Sequence, residues 1–196
     1  MSEADPYGID REFITGRAGK VLGFLHNRYW RVEVAGLEHV PAEGPVVLTG
    51  THRNMMPFDA MMALYELTGI GRIPRFLVDP ALLKTPKLGK VVSGLGGIPA
   101  SREGAAWVLE QGEILGMYPE AAKGAFAEYR DTYRLHSFGR SNYISFALAH
   151  RAPILPFVTV GSAEAYPILK LLHWKWFKKR TGWPGLPITP TFPFVS

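Results

Sequence analysis

A chain of 196 residues suits a single domain, and 47% hydrophobic with 20% charged residues predicts a folded core rather than disorder. The absence of cysteine excludes a disulfide framework and a thiolate zinc site. No run reaches the ~18 consecutive apolar residues that a spanning helix needs, and the net charge of +5 fits an anionic partner, whether phospholipid surface, nucleic acid or phosphorylated cofactor.

Residues 1–10 are polar and acidic, unlike the basic-then-apolar start of a signal peptide, which predicts a flexible start and a chain kept on the cytoplasmic side. Residues 11–30 set Phe13, Ile14, Val21, Leu22, Phe24, Leu25, Tyr29 and Trp30 among Arg and Lys. That stripe fits an amphipathic helix, packed on its own domain or lying in a membrane interface. A short strand is expected at 31–34, a turn around 41–45 and a buried apolar strand at 45–50. A helix follows at 59–67. Further strands are expected at 75–78, 97–99, 114–118 and 154–160, with helices at 80–92, 102–110 and 139–150 between them. This alternation predicts a single-domain α/β fold, a mixed, mostly parallel sheet flanked by helices.

Residues 173–183 interleave Trp174, Trp176, Phe177 and Trp183 with Lys175, Lys178, Lys179 and Arg180. The mixture suits a lipid headgroup zone, a single-stranded nucleic acid, or a surface helix with buried rings. Beyond it, Pro184, Pro187, Pro190 and Pro193 predict extended chain.

Chemistry in α/β sheets gathers just past the carboxyl ends of strands. His52 stands there, after Gly50-Thr51, and a histidine so placed serves as a general base if something holds its tautomer. Asp59 is the candidate. In one continuous helix, seven residues would separate the two by about 10 Å along the axis. Pro57 resolves this, because proline favours the first helical turn. The helix is therefore expected to begin near Pro57 with Asp59 in its first turn, and residues 53–56 to fold His52 back toward the carboxylate. The alternative is a capping Asp beside an unrelated surface His.

Three later segments add to the pattern. Gly97 and Arg102 bracket a strand-to-helix turn. Tyr118-Pro119-Glu120-Ala121, then Lys123, ends an apolar strand with an acid and a base. Pro153 to Pro156 opens another strand. In this order over residues 30–170, the segments resemble the glycerolipid acyltransferase superfamily, whose lysophosphatidate acyltransferases carry four motifs. The first is a His and an Asp, usually with four residues between them; six intervene here, as in the monoacylglycerol acyltransferase-like branch. The second, Gly then Arg, is matched by Gly97 and Arg102. The third, Phe-Pro-Glu-Gly with an Arg two places on, is matched by Tyr118-Pro119-Glu120-Ala121 and Lys123, with Ala where the family has Gly. The fourth is matched by Pro153 to Pro156. Phe138-Gly139-Arg140 resembles the family's basic turn before a helix.

The resemblance implies an acyltransferase domain over residues 31–196 with His52 and Asp59 catalytic. Arg102 and Lys123 would hold the acceptor's polar head, and Glu120 would hydrogen-bond acceptor hydroxyls or orient Arg102; Gly97 and Pro119 would shape the site. The co-substrate would be acyl-CoA or an acyl carrier protein and the acceptor a lysophospholipid or related glycerolipid, with no cofactor, no metal and no nucleic acid. The protein would sit peripherally on the cytoplasmic face of a membrane through residues 11–30 and 173–183. With no Cys and no Gly-x-Ser-x-Gly elbow, direct attack on the thioester is expected rather than an acyl-enzyme. The rivals are a thioesterase or lipid hydrolase using the same pair, and a non-catalytic basic module binding membrane or nucleic acid.

Overall fold

A computed structural model describes residues 5–53, 55–134 and 141–190. The strands in chain order are β1 (Val46–Gly50), β2 (Pro74–Val78), β3 (Ile98–Pro99), β4 (Ile114–Met117), β5 (Ile154–Phe157), β6 (Lys170–Leu172) and β7 (Leu186–Ile188). The α-helical segments are α1 (Arg11–Phe13), α2 (Gly19–Phe24), α3 (Phe58–Gly69), α4 (Pro80–Leu83), α5 (Leu88–Gly94), α6 (Arg102–Glu110), α7 (Ala122–Ala125), α8 (Asn142–His150), α9 (Ser162–Ala165) and α10 (Lys175–Thr181). Five strands make an α/β sheet of order β3-β2-β4-β1-β5, and β6 pairs with β7 in a separate two-stranded sheet. Contacts group this fold into two compact units, one within Met1–Thr49, Ala60–Met117 and Asn142–Pro156, the other within Gly50–Asp59, Tyr118–Ser141 and Phe157–Ser196.

In the first unit, β1 pairs parallel with β4 from Val46↔Ile114 to Thr49↔Met117. Strand β4 pairs parallel with β2, and β2 with β3. Val46, Val47, Leu48, Ile114 and Leu115 are all buried, the continuous apolar run of strands covered on both faces. Helices α6 and α8 bring Ala105, Val108, Leu109 and Ala147 onto Val47, Leu115 and Met117. Gly116 lets neighbouring strands close, since a Cβ there would run into the Phe76 ring. Pro153 and Pro156 lack a ladder donor, and β5 accordingly lies at the edge of the sheet.

The N-terminal helical run alternates α1 and α2 with π turns Ile14–Ala18 and Leu25–Tyr29. Its inner stripe, Ile14 and Leu22, packs with Met62 and Leu64 of α3. His26 is buried with it, its ring bonded to Asn27 at 3.0 Å, paired with Glu66 at 2.8 Å and set against Tyr65. The outer stripe of Val21, Phe24 and Tyr29 is exposed. The helix thus packs on its own unit and still presents an apolar face. Among the described residues no helix is long and apolar enough to cross a membrane.

Several expectations are corrected. Residues 31–34 form no strand: Trp30 and Val32 donate back to the carbonyls of Leu25 and His26, ending the helix, and Arg31 takes a positive φ of 51°. Residues 80–92 are two helices, because Pro86 removes a donor and pushes Thr85 away from helical geometry. The strand expected over 154–160 stops at Phe157. The Pro-rich tail is extended but also paired, with Leu171 opposite Pro187. Residues 139–140, the expected start of the α8 helix, and Pro193 lie outside the described residues.

Residues 5–10, expected to be flexible, are tied down. Arg75 of β2 is fully buried and donates through Nε to the Gly96 carbonyl at 3.1 Å, through Nη1 to Asp5, and lies 5.6 Å from the Trp107 ring centroid. Tyr7 meets that ring edge-on, and Asp10 caps α1. A buried guanidinium needs such partners. Burial opposes the charge on Asp5, yet Arg75 and the backbone N–H groups of Tyr7 and Gly8 outweigh it and hold the carboxyl below its ordinary range.

In the second unit, the turn that begins at Tyr118 holds Ala121 at φ 50°, ψ −142°. This backbone region is essentially glycine's, and a Cβ there costs of order 1–3 kcal/mol.

Two predictions follow from the backbone and charge placement. Ala121→Gly should raise thermal stability by about 1 kcal/mol, read as a higher melting temperature, after glycine's looser unfolded chain offsets part of the relieved strain. Asp5→Asn should cost about 1–2 kcal/mol near neutral pH. Because the folded Asp5 pKa is depressed, that stability is complete above the ordinary aspartate range near 4 and fades as pH falls through the lowered value. Melting curves of the two proteins should therefore converge in strong acid.

Candidate active site

Strand β1 ends at Gly50, and α3 does not begin until Phe58, with Asp59 in its first turn. The intervening loop turns back, and the His52 ring nitrogen Nδ1 lies 2.6 Å from Asp59 Oδ2. The geometry is that of an Nδ1–H donating to a carboxylate, which leaves Nε2 as the ring's basic nitrogen. Asp59 is fully buried at the positive end of α3, while His52 keeps 15% of its side chain accessible. The carboxylate is thus shielded and the imidazole reachable. Asn54, within this loop, lies outside the described residues.

Strand β4 runs parallel beside β1 and delivers Tyr118-Pro119-Glu120. The Tyr118 ring stacks on His52, centroids 4.6 Å apart and planes 25° from parallel, and Phe157 backs it at 5.8 Å. Burial, then the charge of Asp59 and a hydrogen bond to it, push the Tyr118 phenol well above its ordinary range. The phenol therefore stays protonated beside the Asp59 carboxylate. Pro119 is fully buried. Glu120 accepts the His52 backbone N–H through Oε2 at 3.2 Å and meets Arg53 through Oε1 at 3.0 Å. Arg53 also donates to the Arg134 carbonyl at 3.1 Å. Gly124 on α7 touches the same atoms: a Cβ there would overlap the His52 carbonyl oxygen and the Glu120 carboxylate. Beside Arg53 is a cavity of about 180 Å³, lined by Thr51, Thr132, Val158, Thr159 and Val160 among others.

His52, Asp59 and Glu120 are therefore joined through direct bonds, and Lys123 stands exposed on the next turn. Gly97 and Arg102 belong to the first unit: Gly97 is buried before β3, and Arg102 is the exposed first residue of α6, whose N-terminus Ser101 caps through the Gly104 N–H. Residues 138–140, the basic turn, lie outside the described residues. Sequence reasoning missed Arg53 and Tyr118 as members of the site. The Tyr118 signal was present in its place before Pro119-Glu120; Arg53 offered none beyond lying next to His52.

The Acyltransferase family matches residues 31–160, which contain the His–Asp pair and Glu120. An uncharacterised protein of Mycobacterium tuberculosis is 33% identical over 195 residues, 98% of this chain and 54% of its own length. A Bos taurus protein named as a DGAT1/2-independent enzyme synthesizing storage lipids is 26% identical over 173 residues, 86% of this chain and 51% of its own length. The chloroplastic phytyl ester synthase 2 of Arabidopsis thaliana is 28% identical over 144 residues, 69% of this chain and 20% of its own length. The chain thus spans about half the length of the first of these relatives. No solved structure gives a significant match. With the family match covering most of the chain and the pattern His52, Asp59, Glu120 falling inside it, this chain belongs to the Acyltransferase family.

Proposed function

We propose that this protein moves a fatty acyl chain from an acyl-CoA or acyl carrier protein thioester to a hydroxyl of a lysophospholipid or related glycerolipid. The observation that carries this is the 2.6 Å contact between His52 Nδ1 and the buried Asp59 carboxylate. It fixes the tautomer, so that Nε2 takes the proton of the acceptor hydroxyl as its oxygen attacks the thioester carbonyl. The tetrahedral intermediate collapses with loss of thiolate, which recovers the proton from the imidazolium. Asp59 stabilises that imidazolium, the role an aspartate plays in serine-hydrolase triads.

Lys123, exposed in the same unit as His52, is the cation we assign to the acceptor's polar head. The cavity beside Arg53, with Thr51 and Thr159 in its lining, is the space we assign to the glycerol portion. The names of the bovine and plant relatives, storage-lipid synthesis and phytyl ester synthesis, support an acyl acceptor that is a lipid alcohol.

We further propose that the protein works on the cytoplasmic face of a membrane. Trp174 and Trp176 are each 58% exposed, α10 carries Lys175, Lys178, Lys179 and Arg180 beside them, and no acidic residue follows Glu164. Exposed indoles beside clustered cations fit an anionic lipid surface. The exposed Val21, Phe24 and Tyr29 stripe offers a second apolar contact.

Thiol release from a long-chain acyl-CoA, with and without lysophosphatidate or monoacylglycerol, tests the reaction. Acceptor-dependent release is expected, and His52→Ala or Asp59→Asn should lower it by about 10²–10⁴-fold. Release that ignores the acceptor would identify a hydrolase instead, and a His52→Ala protein with most of its activity would end the mechanism. For the membrane, Trp174→Ser with Trp176→Ser should weaken co-sedimentation with anionic vesicles, and raised salt should weaken it further. Unchanged binding in both would remove α10 from the interface.

A further inference from the structure

Glu120 is the residue for which the family resemblance implies contact with acceptor hydroxyls or orientation of Arg102, and its surroundings in this chain point elsewhere. Its side chain is 1% exposed, and both carboxylate oxygens are engaged, Oε2 by the His52 backbone N–H and Oε1 by Arg53. The Arg53 side chain is itself only 8% exposed, and the Arg134 carbonyl fixes its Nη2. A carboxylate so buried persists only with a partner of opposite charge and good geometry.

The backbone group it holds is the one that needs holding. The Asp59 bond fixes the rotation of the His52 ring but not the location of the residue, which lies beyond the last residue of β1 in irregular chain. Glu120 satisfies the His52 N–H. Gly124, admitted by its missing side chain, presses against the His52 carbonyl and the Glu120 carboxylate together. Both backbone polar groups of the proposed base are therefore boxed in by the turn after β4.

We infer that Arg53 and Glu120 form a buried ion-paired clamp that positions His52, with Glu120 acting through the His52 backbone rather than on the acceptor. The inference rests on His52 being the base of the proposed reaction. Arg53 is a positioning residue at one remove: it supplies the opposite charge that the buried Glu120 carboxylate needs to hold its place.

The test uses two double variants that each remove both buried charges, so that neither leaves an unpaired ion in the interior. Arg53→Met with Glu120→Gln keeps an oxygen to accept the His52 N–H; Arg53→Met with Glu120→Leu does not. Melting curves establish that each is folded. The Gln protein is expected to keep kcat within about tenfold of wild type. The Leu protein is expected to lose a further 10- to 100-fold or so in kcat, with the acceptor KM within about threefold. Proton NMR provides a readout independent of turnover: the low-field resonance of the His52 Nδ1–H in its bond to Asp59 should persist in the Gln protein and disappear or shift in the Leu protein. Gly124→Ala, which removes no charge but crowds the same atoms, should disturb that resonance likewise. A Leu protein with unchanged kcat and resonance overturns the clamp. So does a rise in acceptor KM at constant kcat, which would make Glu120 a substrate contact. If wild type transfers no acyl group at all, the proposed function falls, while the resonance still decides whether the clamp holds His52.

Discussion

The site depends on the parallel pairing of β1 with β4. Thr49 stands opposite Met117, so His52 and Glu120 are each three residues beyond the same rung. Parallel strands leave their carboxyl ends side by side, and two segments far apart in the chain are handed off at the same level. The bond from the His52 N–H to Glu120, and the stack of Tyr118 on the imidazole, are consequences of that register. A slip of one residue would carry every β4 side chain to the opposite face and break both. The apolar run of β1 and the close approach permitted by Gly116 hold the register.

Much of what surrounds the imidazole works against stability. Asp59, Glu120 and Arg53 are charges taken out of water, and Ala121 occupies a backbone region suited to glycine. Such features persist where the rest of the structure over-determines them. Here the over-determination is local: Pro119 is packed away, Gly124 closes on the turn, and the short α7 follows at once. The place where the family motif carries glycine is the place where this backbone asks for one.

The parts of the fold that were legible in the sequence are those with a local cause. Pro57 predicted where α3 begins, and with it the loop that lets a pair seven residues apart meet, because proline's preference for a first turn needs no tertiary context. The alternation of apolar strands with helical stripes gave the sheet. What was not legible has causes remote in sequence. Arg53 reads as a loop cation because its partner Glu120 lies on another strand's exit. Asp5 reads as part of a polar tail because nothing near it announces the buried Arg75. The break at Pro86 was legible in principle, but the apolar stripe across residues 80–92 matched a helix on both sides of it. The pairing of β6 with β7 was hidden because the proline that forbids a central strand is tolerated in a pair of edges.

A histidine–aspartate pair does not by itself choose between a lipid hydroxyl and water, since its basic nitrogen takes a proton from either. Selection has to come from the surroundings of the imidazole. His52 is mostly covered, with the Tyr118 ring stacked on it, which restricts the room for solvent around it. The aromatic and basic α10 belongs to the same compact unit as His52 and Asp59. On the proposed reading, that unit carries both its base and its means of resting on lipid, so the acceptor arrives from a phase where it is concentrated and water is scarce. Proximity of this kind raises the rate of the transfer over hydrolysis without any added contact at the reacting carbon. The balance between the two reactions then resides in the covering of the ring and in α10, and the pair itself is indifferent to it.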